Sequence, residues 1–460
     1  MSEKSNFSRR KFLAGAATIG AVGAIGINAL SSCSTEKKHA LKEVGDLNLP
    51  PMLEEVPDGK PLKAGVIGCG GRGSGAAINF LEAGPNLSIT ALGDVFDDRL
   101  QSCREKIKEK FDNEIADENC FVGFDAYQKV IDSGVDIIIL ATPPKFRAEH
   151  FEAAVQARKH VFMEKPVAVD PEGIRSVIAS AKKAEAIGLK VITGTQRRHQ
   201  KDYIDIYKQV MSGSIGEIVS ANCYWNGGKL WHRNPTAEWS EMEYMIRDWV
   251  NWLWLSGDHI VEQHVHNIDV INWFTGTHPV KAVGFGSRLR RVTGDQFDNF
   301  SIDFEYENGM HMHSMCRQIN GCVNNVSERI QGTNGSTNCK DTIWDLEGNE
   351  IHAYKYPLDE EGNETSSVKI SPYVQEHKDL VTCIRQNIPI NEAEQTAISN
   401  LVAIMGRQSA YTGKEVTFEE MMNSDLKLGP QTYIMGNIGY METAKVAAPG
   451  EAAIVEEGKK

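Results

Sequence analysis

The chain has 460 residues, of which 41% are hydrophobic and 24% charged. At roughly 100–200 residues per domain this points to two or three globular domains and excludes disordered, collagen-like and multi-spanning membrane chains. With 49 Lys and Arg against 62 Asp and Glu, the net charge of −13 argues against nucleic-acid binding, and 9 irregularly spaced Cys without a CxxC pair exclude a zinc ribbon or a thioredoxin-type site.

Residues 1–33 read as an address. Ser8-Arg9-Arg10-Lys11-Phe12-Leu13 has the form of a twin-arginine export signal. The apolar stretch 13–30 follows, but its glycines and Asn28 argue against a membrane span. Leu30-Ser31-Ser32-Cys33 has the form of a lipobox, so Cys33 is expected to carry a lipid. The expectation is a periplasmic protein that touches the membrane only through this anchor, without structural disulfides. Residues 34–60, with Pro50, Pro51, Pro57 and Gly59, read as a linker.

From 61 to 195 buried strands alternate with helices. Strands are expected at 62–67, 87–92, 120–122, 135–141, 160–163 and 190–192, and helices at 76–81, 99–111, 126–131, 147–157 and 171–186. This is an α/β pattern, a doubly wound parallel sheet with helices on both faces. From 196 to 430 the strands lengthen and alternate, at 218–225, 282–289, 299–306 and 309–316, with one helix at 258–273 between them. That predicts an α+β domain with an open, mainly antiparallel sheet. A final helix at 392–411 can pack back on the first domain. Residues 431–460, rich in Gly, Ala and Glu, read as a flexible tail.

Directly after the first strand comes Gly68-Cys69-Gly70-Gly71-Arg72-Gly73, opening the first helix. In this strand–turn–helix context the glycine spacing marks a dinucleotide site. Gly68 permits the tight turn, Gly70 and Gly71 leave room for a pyrophosphate, and Gly73 lets helix and strand approach. Cys69 and Arg72 lie within the same loop; the Cys69 side chain reads as a small packing group. Asp94, 21 residues beyond Gly73, stands where a carboxylate accepts from the ribose 2′-OH and repels a 2′-phosphate, so NAD is expected rather than NADP.

Two further segments carry reactive groups. Met163-Glu164-Lys165-Pro166 closes the fifth strand, at the edge where parallel sheets bind ligands. Asp258-His259-Ile260-Val261-Glu262-Gln263-His264-Val265-His266 places Glu262 and His266 on one face if helical. His264 and His266 would point to different sides, leaving too few ligands on one face, so no metal is expected.

The glycine fingerprint, Thr142-Pro143-Pro144 with His150, the Glu164-Lys165-Pro166 tripeptide and the acid-x3-His segment together resemble the glucose–fructose oxidoreductase/inositol dehydrogenase (Gfo/Idh/MocA) family over about residues 60–430. The resemblance implies NAD-dependent redox chemistry on a sugar or cyclitol. It implies that Lys165 is the catalytic lysine and His266 the acid–base histidine, with Glu262 orienting it. It assigns Thr142, Pro143, Pro144, His150 and Glu164 to the cofactor, and implies a homo-oligomer formed through the open sheet. Glu262 and His264 stand where the family usually has Asp and Gly.

Six of the 8 Trp lie between 225 and 254, and aromatic faces suit pyranose rings. Trp225, Trp231, His232, Arg233, Arg197, Tyr203 and His264 are the candidate sugar contacts. Outside the cytoplasm no free NAD pool is expected, so the cofactor would be bound before export and recycled in place. That favours oxidation at C3 of a glycoside, with the keto-glycoside passed to a partner lyase or hydrolase. The alternatives are an NAD-mediated glycoside hydrolase, known in one branch of the family, and a non-catalytic sugar-binding scaffold.

Overall fold

The structure, a computed structural model, describes residues 47–358, 362 and 371–450. The export signal, Cys33 and the first part of the linker lie outside the described residues, as does the end of the tail.

The first sheet comprises β1 (Leu62–Ile67), β2 (Leu87–Asp94), β3 (Cys120–Val122), β4 (Ile137–Leu140), β5 (His160–Met163) and β6 (Val191–Thr193), in the order β3-β2-β1-β4-β5-β6. Every neighbouring pair is parallel. Its central strand β4, Ile-Ile-Ile-Leu, is fully buried, as a strand covered by helices on both faces must be. The order reverses direction between β1 and β4, and this opens a crevice beyond their C-terminal ends.

The second sheet has nine strands: β7 (Ile218–Gly227), β8 (Pro279–Ser287), β9 (Asn299–Tyr306), β10 (His311–Gln318), β11 (Asn325–Gly332), β12 (Ser336–Thr337), β13 (Thr342–Trp344), β14 (Glu350–Ala353) and β15 (Val416–Thr417). Their order is β14-β13-β12-β11-β7-β10-β9-β8-β15. The ladders are antiparallel except β7 with β10, which run parallel side by side at the centre. The C-terminal ends of β7 and β10 therefore emerge together.

Three expectations need correction. The single helix expected at 258–273 is broken into His259–Glu262 and Val265–Thr275. At the break the His266 N–H turns to the Gln263 carbonyl at 3.2 Å, and the Glu262 carbonyl it would have bonded accepts instead from the Lys165 ammonium at 2.6 Å. The described part of the linker is docked: Leu47 and Val56 are buried, and the Met52 N–H bonds the Asp379 carboxylate. Residues 431–450 are also anchored. Tyr433 stacks on Trp254, Ile438 and Tyr440 join the same apolar cluster, and Glu241 accepts N–H groups from Ile438, Gly439 and Met441. A few well-spaced aromatic and aliphatic groups hold a stretch whose average composition suggests a loose coil.

The C-terminal helices return to the first domain. Pro372–Gln386 packs on the fingerprint helix Gly71–Glu82, and Ala393–Thr412 packs on Pro171–Ala186, β8 and Val265–Thr275. The junction is fixed by a buried ion pair: Arg198 donates to both Asp269 oxygens at 2.8 and 2.9 Å, and Ser399 donates to the same carboxylate. Removing one partner leaves the other charge buried without compensation. Arg198→Ala is therefore expected to destabilise the protein by about 3–5 kcal/mol, read as a lower denaturant midpoint, with Arg198→Lys recovering part of the loss.

Candidate active site

The fingerprint takes the shape its glycines allow. Gly68 has φ +92, and a Cβ on Gly73 would lie 1.7 Å from the Gly68 carbonyl oxygen, so both positions exclude a side chain. A Cβ on Gly70 or Gly71 would meet nothing within 4 Å, because both face open space. The helix starts at Gly71 with no side-chain cap, so its first N–H groups point into that space, where an anion is favoured. Asp94 accepts from the Cys69 and Phe96 N–H groups at 2.6 and 2.9 Å, which fixes its carboxylate at the end of β2. Burial raises the Asp94 carboxyl above its ordinary value, and those two N–H groups oppose the shift.

These groups line a cavity of about 580 Å³ that runs past Thr142, Pro143 and His150. The residues present fit a dinucleotide: free helix N–H groups for a pyrophosphate, a carboxylate for a ribose and open backbone between them. His150 stacks on Tyr127 at 4.2 Å, and burial, with Arg147 nearby, pushes its imidazole down to about 3. Cys69, Gly73, Pro144, Glu164 and Lys165 do not line the cavity. The Cys69 side chain is buried in the core, Gly73 serves the helix–strand approach, and Pro144 begins the next helix.

The far wall of the cavity comes from the second domain and the C-terminal stretch: Trp231, Arg233, Ile246, Arg247, Trp249 and Tyr433. Arg247 fastens this wall to the first domain. It donates to Asp98 at 3.1 and 3.0 Å and to Glu243 at 2.8 Å, and its guanidinium lies 4.0 Å from the Phe96 ring.

Glu164, Lys165 and Pro166 leave β5 beside this cleft. Arg72 reaches from the fingerprint to pair with Glu164. Arg147, fully buried, bridges Thr142 O at 2.8 Å, Glu164 O at 3.1 Å and Pro166 O at 2.7 Å, tying the two loops together. Burial pushes this guanidinium down to about 10. Lys165 donates to both the carbonyl and, at 3.3 Å, the carboxylate of Glu262. Glu262 thus positions Lys165 and not His266. The His266 ring lies against Trp225 at 5.7 Å, and its imidazole is held well below the ordinary histidine range by burial and by Lys165, Arg197 and Arg72. It is neutral at pH 7.

The candidate sugar contacts separate into groups. Trp225 and Arg197 stay with His266: the Arg197 guanidinium lies 5.9 Å from the Trp225 ring and pairs with Glu328. Tyr203, only 5% exposed, gives its hydroxyl to Glu328 at 3.1 Å and is buried behind Arg197. His264 is fully buried, bonded to Ser314 at 2.7 Å and pushed down to about 3 by burial; the helix break turns it into the sheet, away from the site. Trp231 and Arg233 line the nucleotide cleft, whereas His232 between them lines a separate cavity. His259 is buried against Asp258 at 3.0 Å, and among the described residues no three His, Cys, Asp or Glu side chains come together as a metal site.

Sequence reasoning missed Arg147, Arg247, Glu328 and Tyr433. Arg147 and Glu328 are lone charges with no motif around them, found only by what they touch. Arg247 and its neighbours were partly signalled by the surrounding Trp cluster, whose surfaces were assigned to sugar and not to the nucleotide.

The sequence matches an oxidoreductase family with an NAD-binding Rossmann fold over residues 62–192, and the Gfo/Idh/MocA C-terminal domain over residues 203–338. It is 22% identical over 279 residues to a scyllo-inositol 2-dehydrogenase (NAD(+)) of Bacillus subtilis, covering 60% of this chain and 72% of that one. It is 30% identical over 228 residues to a myo-inositol 2-dehydrogenase of Thermotoga maritima, covering 50% and 59%. The match to the inositol 2-dehydrogenase of Salmonella typhimurium spans about half of that chain, 54%. Among solved structures, scyllo-inositol dehydrogenase from Lactobacillus casei with bound NAD(H) and scyllo-inositol aligns with a TM-score of 0.58 at 20% identity, over 78% of this chain and 100% of that one. The two matched segments together take in more than half of the chain, the first holding Lys165 and the second His266. The protein belongs to the Gfo/Idh/MocA family and is an NAD-dependent oxidoreductase.

Proposed function

We propose that the protein oxidises a ring hydroxyl of a sugar, at C3 of a glycoside, with an NAD that stays bound and is recycled in place. The observation that carries this reading is the second-domain wall over the nucleotide cleft, fastened by Arg247 to Asp98 and backed by Tyr433. A retained cofactor needs contacts from both sides of its cleft, and here Trp231, Trp249 and Tyr433 line the wall contributed by the second domain and the C-terminal stretch. Retention suits the export and lipid anchoring at Cys33 inferred from the N-terminal sequence, since a periplasmic enzyme would have no NAD pool to draw on.

When bound, NAD accepts a hydride from the carbinol carbon. The remaining work falls to the side chains. Lys165 has three N–H donors, and Glu262 takes two, which leaves one to hold the oxygen of the reacting hydroxyl. That hydrogen bond favours the alkoxide as it forms. His266, kept neutral by burial and by its cationic neighbours, has an imidazole nitrogen ready to accept the hydroxyl proton. Trp225 fixes the ring plane of His266 and offers an aromatic surface at the site. Returning the proton and the hydride to a second keto-sugar restores the starting enzyme. A partner lyase or hydrolase would consume the keto-glycoside, and a homo-oligomer through the outer face of the nine-stranded sheet fits the same reading.

The test begins with purified protein and no added NAD. Reduced-nicotinamide absorbance should rise on adding a glycoside, and the product should be an intact glycoside that has lost two hydrogens. Inositols belong in the same panel because the named relatives act on them. Release of free monosaccharide without net redox change would replace this reading with the hydrolase.

His266→Ala should lower kcat by about 10²–10⁴-fold with NAD still bound. Because the His266 imidazole is depressed, it remains an unprotonated base as pH falls through the usual histidine range near 6.5, so kcat/KM should hold there and drop only at lower pH. Arg247→Ala removes the fastening of the cleft wall. It should speed NAD release by about tenfold or more, so that gel filtration strips cofactor from the variant and not from the wild type.

A further inference from the structure

A second cavity, of about 280 Å³, opens where the parallel strands β7 and β10 end. Its titratable lining is wholly basic: Lys229, His232, Arg290 and Arg291, joined by neutral Gln318 and Asn320. Among the described residues no carboxylate lines it, in a chain whose net charge is −13. Such a concentration of one sign in a concave site attracts an anion.

The site is built rather than incidental. Asp298, fully buried, accepts the N–H groups of Leu289, Arg290 and Arg291, and so shapes the turn that carries both arginines. Arg291 directs its donors to neutral acceptors, at 3.1 Å to Phe297 O and 2.7 Å to Asn251 Oδ1, and also to Gln318 Oε1, which leaves its charge uncompensated by a partner within the lining. Asp248, buried behind His232, accepts from the Arg233 N–H at 2.7 Å and from Asn251 at 3.0 Å.

The cavity is also tied to the catalytic groups. Gln318 donates to Gln263 at 2.8 Å, and Gln263 directly follows Glu262, the residue that holds Lys165. Lys229 and His232 lie just beyond the β7 strand that carries Trp225, on the loop whose alternate residues Trp231 and Arg233 wall the nucleotide cleft. One loop therefore separates the cofactor from this basic pocket.

We propose that this cavity binds the anionic substituent of a sugar, a uronate carboxylate or a sulfate ester, and that the substrate is an acidic glycoside. The inference rests on the sugar-oxidoreductase reading above. Arginine and lysine donors bind carboxylate and sulfate oxygens through charge-assisted hydrogen bonds, whereas a neutral hydroxymethyl group would leave those charges without a partner.

The test is calorimetric titration of the NAD-bound protein with D-glucuronate, D-galacturonate, D-glucose 6-sulfate and neutral D-glucose. It is repeated on the double variant Lys229→Ala/Arg290→Ala, whose side chains are exposed and lie outside the fold's core. At least one anionic sugar should bind about tenfold or more tightly than glucose, with the advantage shrinking in high salt and disappearing in the variant while glucose binding is unchanged. Whether the uronates or the sulfate gain identifies the substituent. Equal binding of neutral and anionic sugars, or an advantage that survives in the variant, would overturn the proposal. Nicotinamide absorbance recorded in parallel separates the two readings: an acidic sugar that binds in the cavity while no sugar reduces the cofactor keeps the anion site and removes the oxidoreductase reading.

Discussion

The hydrogen bond from the Lys165 ammonium to the Glu262 carbonyl is the constraint on which the site depends. A regular helix has no carbonyl to lend, because each one accepts from the N–H four residues on. Breaking the helix after Glu262 releases that acceptor and turns the next segment so that His266 lies against Trp225 while His264 bonds Ser314 of the sheet. One local irregularity thus fixes the lysine, sorts the histidines and joins the chemistry of the first domain to that of the second.

The electrostatics follow from the same arrangement. Burial, helped by the charges of Lys165, Arg197 and Arg72, keeps the His266 imidazole neutral, the form required of a base. Their charges are balanced by Glu262, Glu328 and Glu164, with Lys165 on Glu262, Arg197 on Glu328 and Arg72 on Glu164. Each cation is therefore paired with an acid of its own. Protonating His266 would add a fourth positive charge that forms no ion pair among the described residues.

The nucleotide cleft shows a related division of labour. The fingerprint and Asp94 provide generic recognition of a dinucleotide, set by backbone geometry. Enclosure comes from elements distant in sequence: the loop after β7, the helix ending at Arg247 and Tyr433 near the C-terminus. Recognition by backbone needs only a short motif, whereas enclosure requires surfaces brought together by folding.

The sequence alone determined the parallel first domain, the open sheet of the second and the glycine turn, and it singled out Asp94, Lys165 and His266 as candidates. These follow from local rules: strand and helix periodicity, and residues whose chemistry demands a fixed place relative to a strand end. Tertiary structure decided what depends on partners far along the chain. The helix at 258–273 looked continuous because its break is made by a lysine nearly a hundred residues earlier. Glu262 looked like the partner of His266 because spacing on an ideal helix says nothing about a competing ammonium. Trp231 and Arg233 looked like sugar contacts because an aromatic side chain suits either an adenine or a pyranose, and only the path of the loop after β7 assigns each residue to its cavity. The stretch at 431–450 looked loose because average composition hides a few well-placed apolar groups, and burial is settled by the surface they meet.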